Sequence, residues 1–189
     1  MPFSFTDLEL PGVRLITPQV FPDARGSFRE TFKASAFAAA GIRGPFLQDN
    51  LSVSRKGVLR GLHFQKPPHA QAKLIQVLEG AIFDAVVDLR PDSPAFGRWM
   101  GLRLGADSPS LLYVPAGFAH GFQVCSDQAV VLYKTSAEFC PAAEAGIRWN
   151  DPTLAIAWPD PEPQVSARDA ALPLFTPGTG SGPAPDRQI

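Results

Sequence analysis

The chain has 189 residues, a formal net charge of -1 and 45% hydrophobic residues. These values suit one folded domain with a core, and they exclude a chain that is disordered throughout. They also exclude a global charge attraction to nucleic acid or to anionic membranes. The apolar runs are too short for a transmembrane helix, the N-terminus lacks the basic segment of a signal peptide, and two cysteines are too few for a disulfide framework. We therefore expect a cytoplasmic protein that binds neither nucleic acid nor membrane.

The 20 prolines and 16 glycines lie between short apolar runs, a distribution that is typical of many short strands joined by turns. The first predicted elements are strands over 13–20 and 27–32 and a short helix over 33–40, which Gly41 ends. Further strands are predicted over 57–64, 73–79, 81–89, 98–104, 111–114 and 129–135. Glycine readily adopts positive φ, so Glu79-Gly80 predicts a tight hairpin between two of these strands.

Helices do not alternate with these strands, so a parallel sheet is disfavoured and an all-β jelly-roll barrel is the predicted fold. Within 81–89, strand alternation places Phe83 and Ala85 on one face and Ile82 and Asp84 on the other. The proline-rich segment 158–163 is predicted to run over the surface. We expect a single domain over 1–175, followed by a flexible tail over 176–189.

The segment V-L-R-G-L-H-F-Q at 58–65 brings Arg60 and His63 close to Lys73 in an otherwise apolar stretch. Histidine is the usual general base near neutral pH. A lysine that points into the core needs an anionic partner, and Asp84 on the next strand is the candidate. Alternation places Arg60 and His63 on opposite faces, so both reach one cavity only if Gly61 forms a bulge.

Three further residues are candidates for acid–base chemistry. His120 follows a Pro-Gly turn at the start of a strand, and Tyr133 lies on a strand face with Val131. A phenol inside the protein needs a hydrogen-bond partner or serves as an acid. Asp169 could orient His63, as carboxylates do in many active sites. The structural alternatives are a satisfied core histidine, a tyrosine at the core edge and a capping aspartate.

Two other chemistries find less support. The histidines His63, His69 and His120 leave a zinc site open, and P-x-G-x-x-H at 115–120 resembles half of a cupin metal signature. The other half requires His-x-His, however, and His63 is followed by Phe64-Gln65. The sequence also lacks a Gly-x-Ser-x-Gly elbow, a Walker loop and a Gly-x-Gly-x-x-Gly motif. We expect neither a metal nor a cofactor.

Longer motifs appear in a fixed order. They are F-x-D-x-R-G-x-F at 21–28, Q-D-N-x-S at 48–52, V-L-R-G-L-H-F-Q at 58–65, Q-A-K-L at 71–74, D-L-R-x-x-S-P at 88–94, P-x-G-F-x-H-G-F at 115–122, Y-K at 133–134, W-N-D-P at 149–152, W-P at 158–159 and S-x-R-D at 166–169. Over residues 3 to 175 the chain resembles the dTDP-4-dehydrorhamnose 3,5-epimerase family. The resemblance implies a cupin-type jelly roll without metal, a homodimer, a cytoplasmic enzyme and no cofactor.

The resemblance also implies a reaction and its residues. The substrate would be dTDP-4-dehydro-6-deoxy-D-glucose, epimerised at C3 and C5 through a C4 enolate to dTDP-4-dehydro-L-rhamnose in dTDP-L-rhamnose biosynthesis. His63 would be the base, Asp169 its partner and Tyr133 the acid, while Lys73, with Asp84 nearby, would stabilise the enolate. The implied substrate-binding residues are Arg25, Glu30, Gln48, Asn50, Arg60, Lys73, His120, Phe139, Glu144 and Arg168. In the family the N-terminal region of one subunit helps to build the partner's site, which would place Arg25 and Glu30 across the interface.

The chain departs from the family pattern at two positions. Phe139 stands where the family often has a tyrosine that stacks on thymine, and Arg168 stands where it has a lysine. A phenylalanine stacks equally well, and an arginine keeps the charge with a different geometry. Two alternatives stay open: a relative that epimerises one carbon only or isomerises the ketone, and a non-catalytic cupin that binds a sugar nucleotide.

Overall fold

Two antiparallel sheets face each other across a shared core in the computed structural model, which describes residues 2–176. The six-stranded sheet has the order β1 (Phe3–Asp7), β2 (Arg14–Pro18), β10 (Leu111–Val114), β7 (Lys73–Glu79), β12 (Gln128–Thr135) and β5 (Gln48–Arg55). The five-stranded sheet has the order β13 (Glu144–Gly146), β6 (Leu59–Gln65), β11 (Phe118–Val124), β8 (Ala81–Asp88) and β9 (Trp99–Gly105). A separate hairpin pairs β3 (Phe21–Asp23) with β4 (Gly26–Phe28), and the helices are α1 (Ala34–Ala39), a 3-10 turn (Pro141–Ala143) and α2 (Ala167–Ala170).

The predicted all-β, two-sheet architecture is confirmed. β7 and β10 have the predicted bounds, and Gly41, whose φ is +83°, follows the C-cap Ala40 of α1, as predicted. Within residues 2–176 no strand pair joins the two sheets, so they form an open sandwich rather than a closed barrel. The predicted flexible tail over 176–189 lies outside the described residues except for Thr176.

The predicted hairpin at Glu79-Gly80 is wrong, although Gly80 does have a positive φ of +73°. β7 pairs with β10 and β12, whereas β8 pairs with β9 and β11 in the other sheet. Gly80 is therefore a corner at which the chain passes from one sheet to the other. A Cβ atom there would lie 2.0 Å from the carbonyl oxygen of Gln128, so the corner requires glycine.

The alternation predicted for β8 is confirmed by the clusters into which its two faces pack. Ile82 and Val86 belong to the core between the sheets. Ala85 and Val87 belong to a second cluster on the outer face, which Leu154, Ile156 and Trp158 cover. This part of the C-terminal segment thus buries the outer face of the sheet. Residues 159–162 are exposed, which agrees with the predicted surface course of 158–163.

Several strands were not predicted, namely β1, β3, β5, β13 and the full length of β11. β5 shows why the search for strands with apolar inner and polar outer residues did not detect all of them. Its residues Gln48 and Asn50 pair with Thr135 and Tyr133 on the interior side of β12, while Leu51 on the opposite face is 61% exposed. A strand with a polar inner face and apolar outer residues inverts the usual pattern.

The bulge predicted at Gly61 is confirmed. His120 pairs with His63 and Phe122 pairs with Arg60, so three steps along β6 match two steps along β11. Gly61 has a φ of +136°. The extra residue reverses the alternation, and both Arg60 and His63 line one cavity.

Among residues 2–176, the structure contains no helix with the length and apolarity needed to cross a membrane.

Gly61→Ala tests how much the fold depends on the bulge. A Cβ atom at Gly61 would lie 2.5 Å from the Cα of Gly121, whereas at Gly26, whose φ is +132°, it would meet nothing within 4 Å. Both substitutions incur a backbone cost of about 1–3 kcal/mol, and Gly61→Ala adds overpacking of about 1–3 kcal/mol. Chemical denaturation measures the free energies of unfolding. Equal losses in the two variants would contradict a steric role for Gly61.

Candidate active site

A cavity of about 830 Å³ lies between the two sheets. One wall comes from β5, β7 and β12 of the larger sheet, and the other from β6 and β11 of the smaller sheet together with α2. The cavity brings together most of the residues predicted from the sequence: Gln48, Asn50, Arg60, His63, Lys73, His120, Tyr133, Phe139, Glu144, Arg168 and Asp169.

His63 and Asp169 form a hydrogen-bonded pair at the cavity wall. His63 Nε2 lies 2.9 Å from Asp169 Oδ1, and the Gly61 backbone N–H donates to Asp169 Oδ2 at 3.2 Å. The sequence places the carboxylate through α2, where Ser166 is the N-cap and accepts from the Asp169 N–H. The side chain of Asp169 is only 5% exposed. Burial raises the pKa of Asp169, but the bonds from His63, Gly61 and Ser166 together lower it below its usual value.

The ionised Asp169 fixes the tautomer of His63. A carboxylate only accepts hydrogen bonds, so Nε2 of the neutral ring carries the proton and the lone pair remains on Nδ1. Burial lowers the pKa of His63 below its usual value, Asp169 and Glu144 oppose this shift, and the Arg168 guanidinium adds to it. The ring is therefore neutral near pH 7, the state that a general base requires.

Tyr133 stands on the opposite wall from His63, because β12 and β6 belong to different sheets. Its side chain packs against the core with Val131. Burial raises the pKa of Tyr133, and the Arg60 guanidinium opposes this only in part. The phenol is therefore protonated at neutral pH and can donate a proton from the side of the cavity opposite the imidazole.

Lys73 is a buried ammonium in the same cavity. Burial lowers its pKa to about 8, and Nζ lies 3.5 Å from Gln71 Oε1. Among the described residues no carboxylate oxygen lies within 4.0 Å of Nζ. Lys73 thus presents a positive charge without an ion-pair partner among residues 2–176, which suits the stabilisation of a developing oxyanion.

The expectation that Asp84 partners Lys73 is wrong. Asp84 is fully buried and its two oxygens lie 3.0 and 2.9 Å from His120 Nε2. β7 and β8 lie in different sheets, whereas β8 and β11 are neighbours, and the pairing of Asp84 with Phe122 places His120 on the same face. Burial raises the pKa of Asp84, and His120 opposes the shift. Asp84 is not among the cavity residues, so it acts on the cavity through His120.

Arg25 and Glu30 lie away from this cavity. Arg25 is on the exposed β3–β4 hairpin, where it pairs with Asp23 at 2.7 Å, and Glu30 pairs with Lys33 at 3.8 Å. Their expected position in a partner's site stays a prediction.

Several polar residues at the site were not predicted from the sequence. Gln65, Gln71, Thr135 and Gln164 line the cavity. Ser54 does not line it, but its hydroxyl accepts a hydrogen bond from Arg60 Nε at 2.9 Å and thereby fixes the guanidinium. Gln65 and Gln71 stood within the motifs, but a glutamine carries no charge or reactivity that marks it as functional.

The histidines do not converge. His63 and His120 are each bonded to their own carboxylate, and the backbone oxygen of His69 accepts from Gln65. Residues 2–176 contain no group of three or more His, Cys, Asp or Glu side chains arranged to hold a metal ion.

Fold and site together define a cupin-type protein in which a carboxylate-bonded imidazole and a phenol line one polar cavity from different sheets. The chain matches the model of the family described as dTDP-4-dehydrorhamnose 3,5-epimerase over residues 7–176. It belongs to the dTDP-4-dehydrorhamnose 3,5-epimerase family.

Individual relatives agree with this assignment. The chain is 45% identical over 168 residues to the dTDP-4-dehydrorhamnose 3,5-epimerase of Salmonella typhimurium, and these residues cover 88% of this chain and 92% of the relative. The crystal structure of the Bacillus anthracis enzyme with TDP and PPi bound has a TM-score of 0.89 and 43% identity, covering 92% and 99% of the two chains. The Legionella pneumophila dTDP-6-deoxy-D-glucose-3,5-epimerase in complex with dTDP-4-keto-L-rhamnose has a TM-score of 0.87 and 41% identity, covering 91% and 92%.

Histidine NMR titration tests the electrostatics of the pair. We expect His63 to titrate below its usual value of 6.5, because burial disfavours the imidazolium. Asp169→Asn should lower the pKa of His63 further, since it removes the anion that stabilises the charged ring. Arg168→Gln should raise it, because a nearby cation is lost. A higher His63 pKa in Asp169→Asn would contradict the described pairing.

Proposed function

We propose that this protein is a dTDP-4-dehydrorhamnose 3,5-epimerase, which converts dTDP-4-dehydro-6-deoxy-D-glucose to dTDP-4-dehydro-L-rhamnose in dTDP-L-rhamnose biosynthesis. The observation that carries the proposal is the neutral His63, bonded to Asp169, opposite the protonated Tyr133 across one cavity. Membership of the family supplies the substrate class.

The chemistry follows from the C4 ketone, which makes the protons on both flanking carbons, C3 and C5, acidic. His63 Nδ1 removes a proton, and the electron pair of the broken C–H bond moves to the C4 oxygen. The Lys73 ammonium stabilises the resulting enolate by its fixed charge. Tyr133 returns a proton to the opposite face of the carbon, and exchange with water resets His63 and Tyr133. The configuration is inverted without any net oxidation or reduction.

The nucleotide is assigned to the remaining cavity residues. Arg60, held by Ser54, is suited to a diphosphate, because a guanidinium donates charge-assisted hydrogen bonds to phosphate oxygens, and His120 lines the same cavity. Phe139 is 49% exposed beside the cavity, which suits a ring that stacks on thymine. The Arg168–Glu144 ion pair at 2.9 Å supplies further polar contacts.

We also propose that the protein is a homodimer in which the N-terminal region completes the partner's site. The outer face of β5 exposes Leu51 and Val53 by 61% and 56%, and the β3–β4 hairpin exposes Phe21 and Phe28 by 46% and 66%. Exposed large apolar side chains of this kind are typical of an interface. Arg25 on this hairpin would then reach the neighbouring cavity.

A cytoplasmic location and a single domain over 1–175 belong to the same proposal. Both cysteines are free thiols, as expected in a reducing compartment. The segment that follows β13 packs on the five-stranded sheet and contributes Asp169 to the site, so it forms part of the same domain.

Incubation with dTDP-4-dehydro-6-deoxy-D-glucose in deuterated water tests the activity. NMR should show deuterium at both C3 and C5 of the product, because each proton is removed and replaced from solvent. In His63→Ala, exchange at both carbons should fall by roughly 10²–10⁴-fold, while dTDP binding persists. In Tyr133→Phe, the rate of formation of epimerised product should fall far more than the rate of deuterium exchange. Label at one carbon would indicate a single epimerase, and tight binding without label a non-catalytic protein.

Mixed dimers test the shared site. His63→Ala and Arg25→Ala chains, co-expressed with different tags and purified through both, should regain activity, because one of the two sites then receives an intact His63 and an intact Arg25. Each variant alone should have low activity. Sedimentation should give twice the chain mass of 20.3 kDa. A monomer, or mixed dimers that are no more active than either parent variant, would contradict a site shared between the two subunits.

A further inference from the structure

The loop that carries Phe139 is held by glutamine side chains from three separate parts of the sandwich. Gln48 on β5 accepts from the Phe139 N–H at 2.7 Å. Gln65 on β6 accepts from the Cys140 N–H at 2.7 Å and donates to the Glu138 carbonyl at 3.2 Å. Gln71, before β7, donates to the Ala137 carbonyl at 2.7 Å. We call residues 137–140 the glutamine-held loop.

The need for glutamine has a simple physical cause. β12 ends at Thr135, so the backbone groups of the next residues lose the partners that a strand ladder provides. A primary amide both donates and accepts, and can therefore replace those partners. All three glutamines line the cavity, so the wall that carries Phe139 is fastened from the cavity side.

Gln71 differs from the other two because its second end reaches Lys73. Its Nε2 donates to Ala137 O, and its Oε1 lies 3.5 Å from Lys73 Nζ. An amide is planar, so the bond to Ala137 determines where the oxygen points. The intervening Ala72 is also fixed, since its N–H donates to Ser136 Oγ at 2.8 Å.

We propose that Gln71 is a positioning residue that aims the Lys73 ammonium and couples it to the loop that carries the nucleotide-stacking ring. This inference rests on the proposed function and extends it to a residue outside the acid–base set. The carbonyl dipole of Gln71 stabilises the charge of Lys73 without neutralising it, which leaves the ammonium available to an enolate oxygen. A carboxylate in the same place would compete with the substrate for Nζ.

Other ionisable groups share the cavity with Lys73. They are Arg60 and His63 from β6, His120 from β11, Tyr133 from β12, Glu144 from β13, and Arg168 and Asp169 from α2. Burial is the cause of the lowered pKa of Lys73, and Gln71 supplies its hydrogen-bonding oxygen. Changes at Gln71 should therefore register on Lys73.

The pKa of Lys73, followed by NMR of ¹³Cε-labelled lysine, tests the coupling without reliance on activity. Gln71→Met removes the dipole and should lower that pKa. Gln71→Glu adds an anion and should raise it. Gln65→Met is the matched control, because it releases Glu138 and Cys140 of the same loop but leaves the Gln71 contacts with Ala137 and Lys73 in place, so its shift should be much smaller. An unchanged pKa in both Gln71 variants, or an equal shift in Gln65→Met, would overturn the proposal.

Kinetics and binding on the same proteins separate positioning from structure. Gln71→Met should reduce kcat by roughly 10- to 100-fold, the loss expected for one hydrogen bond to a charged group. The alkaline limb of its profile of kcat against pH should move to lower pH. Gln71→Glu should move that limb to higher pH. Both Gln71→Met and Gln65→Met should weaken dTDP binding, since both release the loop. If the wild type proved inactive on the keto sugar, the NMR shifts would still decide the role of Gln71.

Discussion

The site depends on one buried carboxylate. Asp169 receives His63 Nε2–H on one oxygen and the Gly61 backbone N–H on the other, so the same group orients the imidazole and anchors the bulge that brings it into the cavity. Its burial would be costly without these donors. The C-terminal segment and β6 therefore have to be in place together before the imidazole has a defined tautomer.

The two-sheet architecture divides the chemistry between its walls. The smaller sheet carries His63, and the larger sheet carries Tyr133 and Lys73, so in the proposed reaction the acid and the base act from opposite walls of the cavity. The polar inner face of β5 has a consequence for assembly, because its apolar residues then lie outside. Because side chains alternate along β5, the polar residues that line the cavity leave the apolar residues of the same strand exposed on its outer face.

Sequence patterns predicted the site more completely than they predicted the strands. The His63–Asp169 pair follows from the family motifs, and the bulge at Gly61 follows from the need to place Arg60 and His63 on one face. Asp84 was assigned to the wrong partner because adjacent strands in the chain entered different sheets at Gly80. β5 escaped detection because its interior residues are polar. The role of Gln71 depends on contacts with a loop more than sixty residues away, which no local pattern encodes.

The central claim concerns the protonation of a single ring, and ¹⁵N chemical shifts of His63 at neutral pH test it most directly. The account predicts a neutral imidazole with its proton on Nε2 and its lone pair on Nδ1. A proton on Nδ1 with Nε2 unprotonated would mean that Asp169 does not accept from His63, and a charged ring would mean that His63 has no lone pair with which to take a proton; either result would contradict the assignment of the base.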